Sequence, residues 1–292
     1  MGKTLIIGCG YVGARIARLA QASSDEVFGM VRNEERAAQL EQEGVRVVRG
    51  NLDDPESLPS LPTGGAMVYY LAPPPGGGLL DPRVRTFCAA VGKGKEPAKL
   101  IYMSTSGVYG DCGGALVDET ASPAPLTPRG KRRLDAERYL LEWGRERNVP
   151  VVILRVSAIY GPGRLPIPHI ESGNPVLREN ESPLSNRVHA EDLATICLAA
   201  AEKGEAGEIF NVSDGECTTM THYFNAVADF FGLIRPPQVT RKEAGGVMNP
   251  LLLSYFSESR CLDNRKMLER LGVVLRYPTL EQGLRGSRME GN

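Results

Sequence analysis

The sequence predicts an α/β chain built on a doubly wound parallel sheet, with a smaller C-terminal lobe. Three observations carry that reading. A glycine-rich turn, "GCGYVG", stands at residue 8 between a short apolar run and a stretch of helical apolar spacing. Strand-like and helix-like segments then alternate, as expected of parallel strands joined by crossover helices. From about Ser213 onward the alternation is lost.

The elements follow in order. "TLII" is a strand, and Val12, Ile16 and Leu19 mark one face of the helix after it. "EVFGMV" is the second strand. "NEERAAQLEQEG" opens on Asn33 as N-cap and stops at Gly44, so it reads as a helix. "VRVV", "AMVYYL" and "KLIYM" are further strands, and a helix runs from about Arg129 to Arg147. "VVILRV" is a strand, "AEDLATICLAAAEKG" a helix and "EIFNV" a strand. Two stretches interrupt the rhythm: the Pro/Gly loop "LAPPPGGGLLDP", and the long irregular "GPGRLPIPHIESGNPVLRENESPLSNR". A loop of that length inside a compact domain is usually functional. Residues 1–162 with 187–213 are therefore assigned to a dinucleotide-binding domain. Residues 163–186 with 214–292 form a small substrate-binding lobe.

Composition removes several classes. With 42% hydrophobic and 24% charged residues in 292, the chain reads as an ordinary soluble protein. A net charge of −1 gives no global field for nucleic acid or an anionic membrane. The first apolar run is too short for a signal peptide or a span, so a cytoplasmic location is expected. Six scattered cysteines, with no CxxC pair and no clustering with His169, His189 or His222, read as reduced thiols and not as a metal site. A homodimer stays open.

Gly8, Gly10 and Gly13 form GxGxxG between a strand and a helix. The first permits the tight turn, the second lets backbone approach a pyrophosphate, and the third lets helix and strand pack closely. The competing reading is a turn that needs glycine only for packing. An NAD site normally adds an acid about 20 residues on, to hold the ribose 2′-hydroxyl. Here the second strand ends in Met30-Val31-Arg32-Asn33, while Asp25 and Glu26 come before its body. Arg32, assisted by Arg36, suits a 2′-phosphate, so NADP is expected over NAD. A solvated strand end is the alternative for Arg32. "IYMSTSGVYGD" places Ser104, Thr105 and Ser106 at the end of a strand, where ligands of doubly wound sheets sit; such hydroxyls are also common in ordinary turns.

Together with these, "NLDDPESL", "VDETASPAPLTPRG", "LRVSAIYGPG", "RVHAEDLA", "FNVSDGE" and "LGVVLRYPTLEQGLR" come in one order along nearly the whole chain. In this the chain resembles the extended, epimerase/dehydratase-type branch of the short-chain dehydrogenase/reductase superfamily, with a Rossmann fold. The resemblance implies a sugar-nucleotide-type site in which Thr105 matches the catalytic Ser/Thr. It also implies cofactor contacts from Gly8, Gly10, Tyr11, Val12 and Gly13 in the loop, and from Arg32 and Asn33 after the second strand. Asn51 and Leu52, Leu71 and Ala72, and Ser104 complete the expected set.

The family follows a proline with Tyr-Gly-x-x-Lys, where the tyrosine shuttles a proton and the lysine lowers its pKa and holds the nicotinamide ribose. Pro128 and Gly130 fix the register, and Arg129 and Arg133 then stand at the Tyr and Lys positions. A guanidinium offers no acceptor and stays protonated, so Arg129 is not a general base. Arg129 and Arg133, four apart, share a helix face expected to line the crevice and hold an anionic group. Lys131 lies about 200° round the helix from Arg129, and it and Arg132 are expected to be dispensable. Four cations in five residues at a helix start oppose the helix dipole, unless an anion or solvent offsets them. Ile7 also replaces the first glycine of the extended GxxGxxG pattern. His189 and Asp192 match the family's "HVxD" turn, which is architectural; Tyr109 and Tyr160 are candidate phenols that more often only pack. Two functions follow: hydride transfer on a sugar nucleotide or related alcohol with a non-standard proton relay, or an NADP(H)-binding sensor without turnover.

Overall fold

The structure, a computed structural model, describes residues 2–22, 26–58 and 60–289. Asp25, the acid weighed above, lies outside the described residues. The first half contains β1 (Lys3–Ile7), α1 (Tyr11–Ala22), β2 (Glu26–Val31), α2 (Glu34–Gln42), β3 (Arg46–Arg49), β4 (Met67–Tyr70), α3 (Pro82–Ala90), β5 (Lys99–Thr105), β6 (Leu116–Val117) and α4 (Pro128–Arg147). The second half contains β7 (Val151–Val156), β8 (Ala158–Tyr160), α5 (Ile167–Glu171), β9 (Val176–Leu177), β10 (Leu184–His189), α6 (Ala190–Lys203), β11 (Ile209–Val212) and β12 (Cys217–Thr219). It ends with α7 (Met220–Phe231), β13 (Gln238–Val239), α8 (Arg241–Val247), α9 (Pro250–Tyr255), β14 (Cys261–Leu262), α10 (Arg265–Leu271) and α11 (Leu280–Met289).

Seven strands form one sheet in the order β11-β7-β5-β4-β1-β2-β3, and every pairing in it is parallel. Side chains alternate across a strand, and here both faces are covered. Ile6, Ile101, Val152 and Leu154 pack against α1 and α6, while Leu5, Ile7, Val68, Tyr102 and Ile153 pack against α3 and α4. Burial on both sides explains why these strands read as continuous apolar runs and not as alternating ones. The chain reverses direction of winding between β1 and β4, so a crevice opens there at the carboxyl ends of the strands.

The stretch expected to be irregular is partly ordered. It holds α5, β9 and the start of β10, because its backbone finds partners in later segments: β9 pairs with β13, and β10 pairs antiparallel with β12. These short elements surround a separate apolar core that includes Phe224, Val227, Phe256 and Leu284. The "HAED" turn is architectural. Asp192 accepts the backbone N–H groups of Arg276 and Tyr277 at 2.8 and 2.9 Å, and His189 is fully buried between Tyr160 and Tyr277. Burial there lowers the His189 pKa to about 4, keeping the ring neutral.

One expectation is corrected outright. Cys217 and Cys261, 44 residues apart, form a disulfide between β12 and β14, so the six cysteines are not all reduced thiols. Scattered spacing conceals a pair that the fold brings to a Cα separation of 5.5 Å.

Candidate functional site

The glycine turn is built by backbone constraint. Gly8 takes φ +87°, and a Cβ there would stand 2.9 Å from the Ala72 nitrogen, so β1 and β4 exit side by side only with glycine at this position. A Cβ on Gly13 would meet the Gly8 carbonyl oxygen at 3.1 Å, the close helix–strand approach expected of the third glycine. Gly10 differs from both: a Cβ there meets nothing within 4 Å. Its lack of a side chain is not required by packing and leaves open space at the amino end of α1, where a pyrophosphate oxygen would approach.

Beyond that space lies a pocket of 280 Å³ lined by Gly8, Gly10, Arg32, Asn33, Arg36, Asn51, Leu52, Ala72 and Arg83. Asn33 caps α2 by accepting the Arg36 N–H at 2.9 Å, which turns the chain so that Arg32 and Arg36 both face the pocket. Arg36 is steadied by the Cys9 carbonyl at 3.3 Å. Arg83, which sequence reasoning missed, donates to the Pro73 carbonyl and forks Asp53 at 2.6 and 2.5 Å; Arg32 reaches the same carboxylate at 3.4 Å. Two of the three guanidiniums thus share one carboxylate, whose pKa the Arg83 contact lowers. The remaining positive charge is where a further anion would be favoured. Tyr11 turns away from this pocket: its hydroxyl donates to the Pro162 carbonyl at 2.9 Å, and its ring lies between Arg15 and Arg164. The Val12 side chain joins the core, and that of Leu71 packs against it. For Val12 only the backbone is left to meet a ligand, whereas Leu71 stays partly exposed.

At the other end of the crevice, Thr105 closes β5 and its side chain accepts the Gly107 N–H at 3.2 Å, leaving its own proton free to donate. The start of α4 is pressed against this turn, since a Cβ on Gly130 would sit 2.7 Å from the Gly107 carbonyl. The cations of "TPRGKRR" now find their partners. Arg129 lies 4.3 Å above the ring of Tyr255, a phenol from α9. Arg133 donates through Nη1 to the Met103 carbonyl at 2.9 Å and the Tyr102 hydroxyl at 3.2 Å, so that nitrogen is committed to the protein. Arg132 was expected to be idle; it instead donates to the carbonyls of Gly77 and Gly78 at 3.3 and 3.0 Å and clamps the Pro/Gly loop. Lys131 is exposed. Acceptors from outside the helix therefore offset three of the four cations.

Ser104 departs from expectation. It is buried, and its hydroxyl donates to Glu137 at 2.5 Å instead of facing a ligand. Glu137 in turn is bound by Arg155 through Nε and Nη2, at 3.3 and 2.9 Å, in a pair almost wholly out of water. Arg155 lies under the ring of Tyr109, whose hydroxyl donates to Asn211 at 2.7 Å. Tyr109 thus packs with its hydroxyl paired, and Tyr160 is likewise buried, with its hydroxyl 3.5 Å from the Thr279 carbonyl. This network fixes the floor beneath the Thr105 turn. A signal for it was present in the sequence: Glu137 interrupts the apolar face marked by Leu134 and Leu140 on α4.

Among the described residues no group of His, Cys, Asp and Glu could hold a metal, and no helix is long and apolar enough to cross a membrane.

A profile of the NAD dependent epimerase/dehydratase family matches residues 83–213, and a TrkA-N domain profile matches residues 4–73. Human dTDP-D-glucose 4,6-dehydratase is 32% identical over 122 residues, 39% of this chain and 35% of that protein, so the match spans about a third of its length. A functionally unknown conserved protein from Silicibacter pomeroyi shares the fold at TM-score 0.81 and 26% identity, with 99% of each chain covered. UDP-glucose 4-epimerase from Thermotoga maritima, solved with UDP-glucose, superposes at TM-score 0.77 and 20% identity over 100% of this chain and 98% of its own, a likeness of fold. The glycine turn, the parallel sheet and the turn after Thr105 agree with these matches: residues 83–213 carry the likeness to the epimerase/dehydratase family, and the whole chain shares the fold of these neighbours.

Proposed function

We propose that this chain binds NADP(H) at the β1–α1 turn and transfers hydride to or from a sugar nucleotide or related alcohol beside Thr105. The observation that carries the reading is the pocket lined by three arginines, of which Arg32 and Arg83 share Asp53, next to the open space at Gly10. In it, the backbone of Gly8, Gly10, Tyr11, Val12 and Gly13 meets the pyrophosphate, while Arg32, with Arg36 and Arg83, takes the 2′-phosphate. Asn33, Asn51, Leu52, Leu71 and Ala72 frame the adenosine half. Residues 1–162 with 187–213 hold the dinucleotide, and the lobe of 163–186 with 214–292 holds the substrate. The bound dinucleotide supplies or accepts the hydride. Thr105 holds the substrate hydroxyl, and Arg129 and the free edge of Arg133 hold an anionic group. Neither arginine takes a proton, because a guanidinium has no acceptor, so the relay differs from the family's Tyr–Lys pair. The named activities of the dehydratase and epimerase relatives support the substrate class.

A second reading, an NADP(H) sensor without turnover, is favoured by the commitment of Arg133 to Met103 and Tyr102. Fluorescence titration with NADPH and NADH, followed by mixing with UDP- and dTDP-sugars while reduced nicotinamide is monitored, separates the two. The enzyme reading requires oxidation of bound NADPH or reduction of bound NADP; binding without either leaves the sensor. An NADPH preference of about tenfold, or about 1.4 kcal/mol, that vanishes in Arg32→Ala is expected. Equal affinities for the two nucleotides would remove the NADP assignment.

A further inference from the structure

We propose that Arg260, carried into the crevice from the C-terminal lobe, selects a substrate whose reacting sugar ring bears a carboxylate; this rests on the sugar-nucleotide reading above. Arg260 immediately precedes β14. Its backbone N–H donates to the Leu184 carbonyl at 3.1 Å, and the next residue is held by the Cys217–Cys261 disulfide, so the base of the side chain is fixed. The head is fixed as well. Nη1 donates to the Gly110 carbonyl at 2.8 Å and to Glu258 at 2.9 Å.

The other edge of the guanidinium, Nε and Nη2, makes no hydrogen bond to any described residue, and Nε is buried in that state. Nη2 lies beside the turn that follows Thr105. A Cβ built on Gly107 would stand 3.7 Å from Arg260 Nη2 and 3.5 Å from Thr105 Oγ1. Arg260 Nη2 and the candidate catalytic hydroxyl therefore both lie against Gly107, within reach of one ligand at that turn. Arginine grips a carboxylate with this edge: in this chain Arg235 holds Asp229 through Nε and Nη2 at 2.7 Å each.

A neutral hexose offers that edge at most a hydroxyl and leaves donors unpaired, whereas a ring carboxylate pairs both. The surrounding charge agrees. Arg129 follows the same turn on its α4 side, adjacent to the Gly130 contact, and Glu258 is the one acid paired with Arg260. The second oxygen of Glu258, Oε1, is also buried without a partner, and it would accept a ring hydroxyl.

A phosphoryl group shares the two-pronged chemistry, so the test must separate a ring carboxylate from the diphosphate of the nucleotide. Calorimetric titration of the full chain, with NADPH in excess, uses UDP-glucuronic acid, UDP-glucose and UDP. The expected result is binding of UDP-glucuronic acid about tenfold tighter than UDP-glucose, a margin lost in Arg260→Ala while UDP-glucose affinity stays within about threefold and partly regained in Arg260→Lys. NADPH affinity of the variants reports their folding, and the wild-type ratio decides the matter if a variant does not fold. Equal wild-type affinities for the two sugars overturn the inference alone. An equal loss for all three ligands in Arg260→Ala overturns it in favour of diphosphate contact. Failure of every UDP ligand to bind overturns it, and failure of the dTDP-sugars as well overturns the sugar-nucleotide reading with it.

Discussion

At the β1–α1 end of the crevice the chain keeps a dinucleotide turn down to the positive φ of Gly8 and the open space beyond Gly10. At the β5–α4 end Thr105 caps the turn and Gly130 lies against Gly107, and the side chains that follow on α4 are Arg129 and Arg133. In the function proposed above, the first end acts through main-chain N–H groups and shape, which is where its glycines matter. The second end acts through side chains, which can be exchanged while the backbone stays. Such a site can lose one chemistry and gain another without any change of fold. Beneath the Thr105 turn a buried network of Ser104, Glu137 and Arg155 supports that backbone.

The largest expected effect tests that support. Glu137→Ala leaves Arg155 buried and unpaired, which costs about 3–5 kcal/mol of unfolding free energy, read from a denaturant titration. The double variant Glu137→Leu with Arg155→Met should recover much of the loss, because the desolvation of both charges is removed with their attraction. A single-variant loss under about 1 kcal/mol would show that the pair is not what holds the floor.

Next comes the staple behind Arg260. A cross-link between residues 44 apart restricts the unfolded chain, and loop-closure entropy puts the stabilisation at roughly 4 kcal/mol. Cys217→Ser should lower the melting temperature markedly, and the wild type should approach the variant in reductant. Intact-mass measurement before and after alkylation must find two fewer reactive thiols in the wild type than under reduction. Indifference of the melting temperature to reductant would place the staple outside the protein's stability.

Comparing the two ends also explains what the sequence made legible. The α/β alternation, the N-cap at Asn33 and the glycine turn are local: each depends on residues within a few positions. The pocket arginines were half legible. Arg32 and Arg36 sit just after β2, but Arg83 reaches Asp53 across 30 residues and only the sheet order makes them neighbours. Arg260 lies 150 residues from the Gly110 carbonyl it binds, and nothing in "SESRC" announces that contact. Ser104 was misjudged for a related reason. Successive residues of a strand point to opposite faces, so Ser104 and Thr105 could not both face the ligand, and the inward one found Glu137.

Gly10→Val sharpens the comparison from the nucleotide end. Because a Cβ there meets no protein atom within 4 Å, the fold should survive with its melting temperature within a few degrees, while NADPH affinity falls by about a hundredfold or more, roughly 2.7 kcal/mol. Gly8→Val should fail in folding instead, from its positive φ and its contact with Ala72. A Gly10→Val protein that binds NADPH as the wild type does would make the turn a packing device only.

The smallest effect is expected at Lys131, and it is informative because its neighbour should behave differently. Lys131 is exposed at the start of α4 and its ammonium makes no hydrogen bond to a described residue, so Lys131→Ala removes a cation from the positive end of the helix dipole and little else. Its stability should stay within about 0.5 kcal/mol of wild type or rise slightly, with NADPH affinity unchanged. Arg132, one residue on, holds the carbonyls of Gly77 and Gly78. Arg132→Ala should release a loop whose glycines have little conformational preference of their own, at a cost of about 1 kcal/mol and with faster proteolysis between residues 73 and 81. If all the cations of "TPRGKRR" were solvated surface charges, the two variants would be indistinguishable. Equal proteolysis of Lys131→Ala and Arg132→Ala would therefore remove the clamp, and with it the account of how this helix tolerates four cations at its positive end.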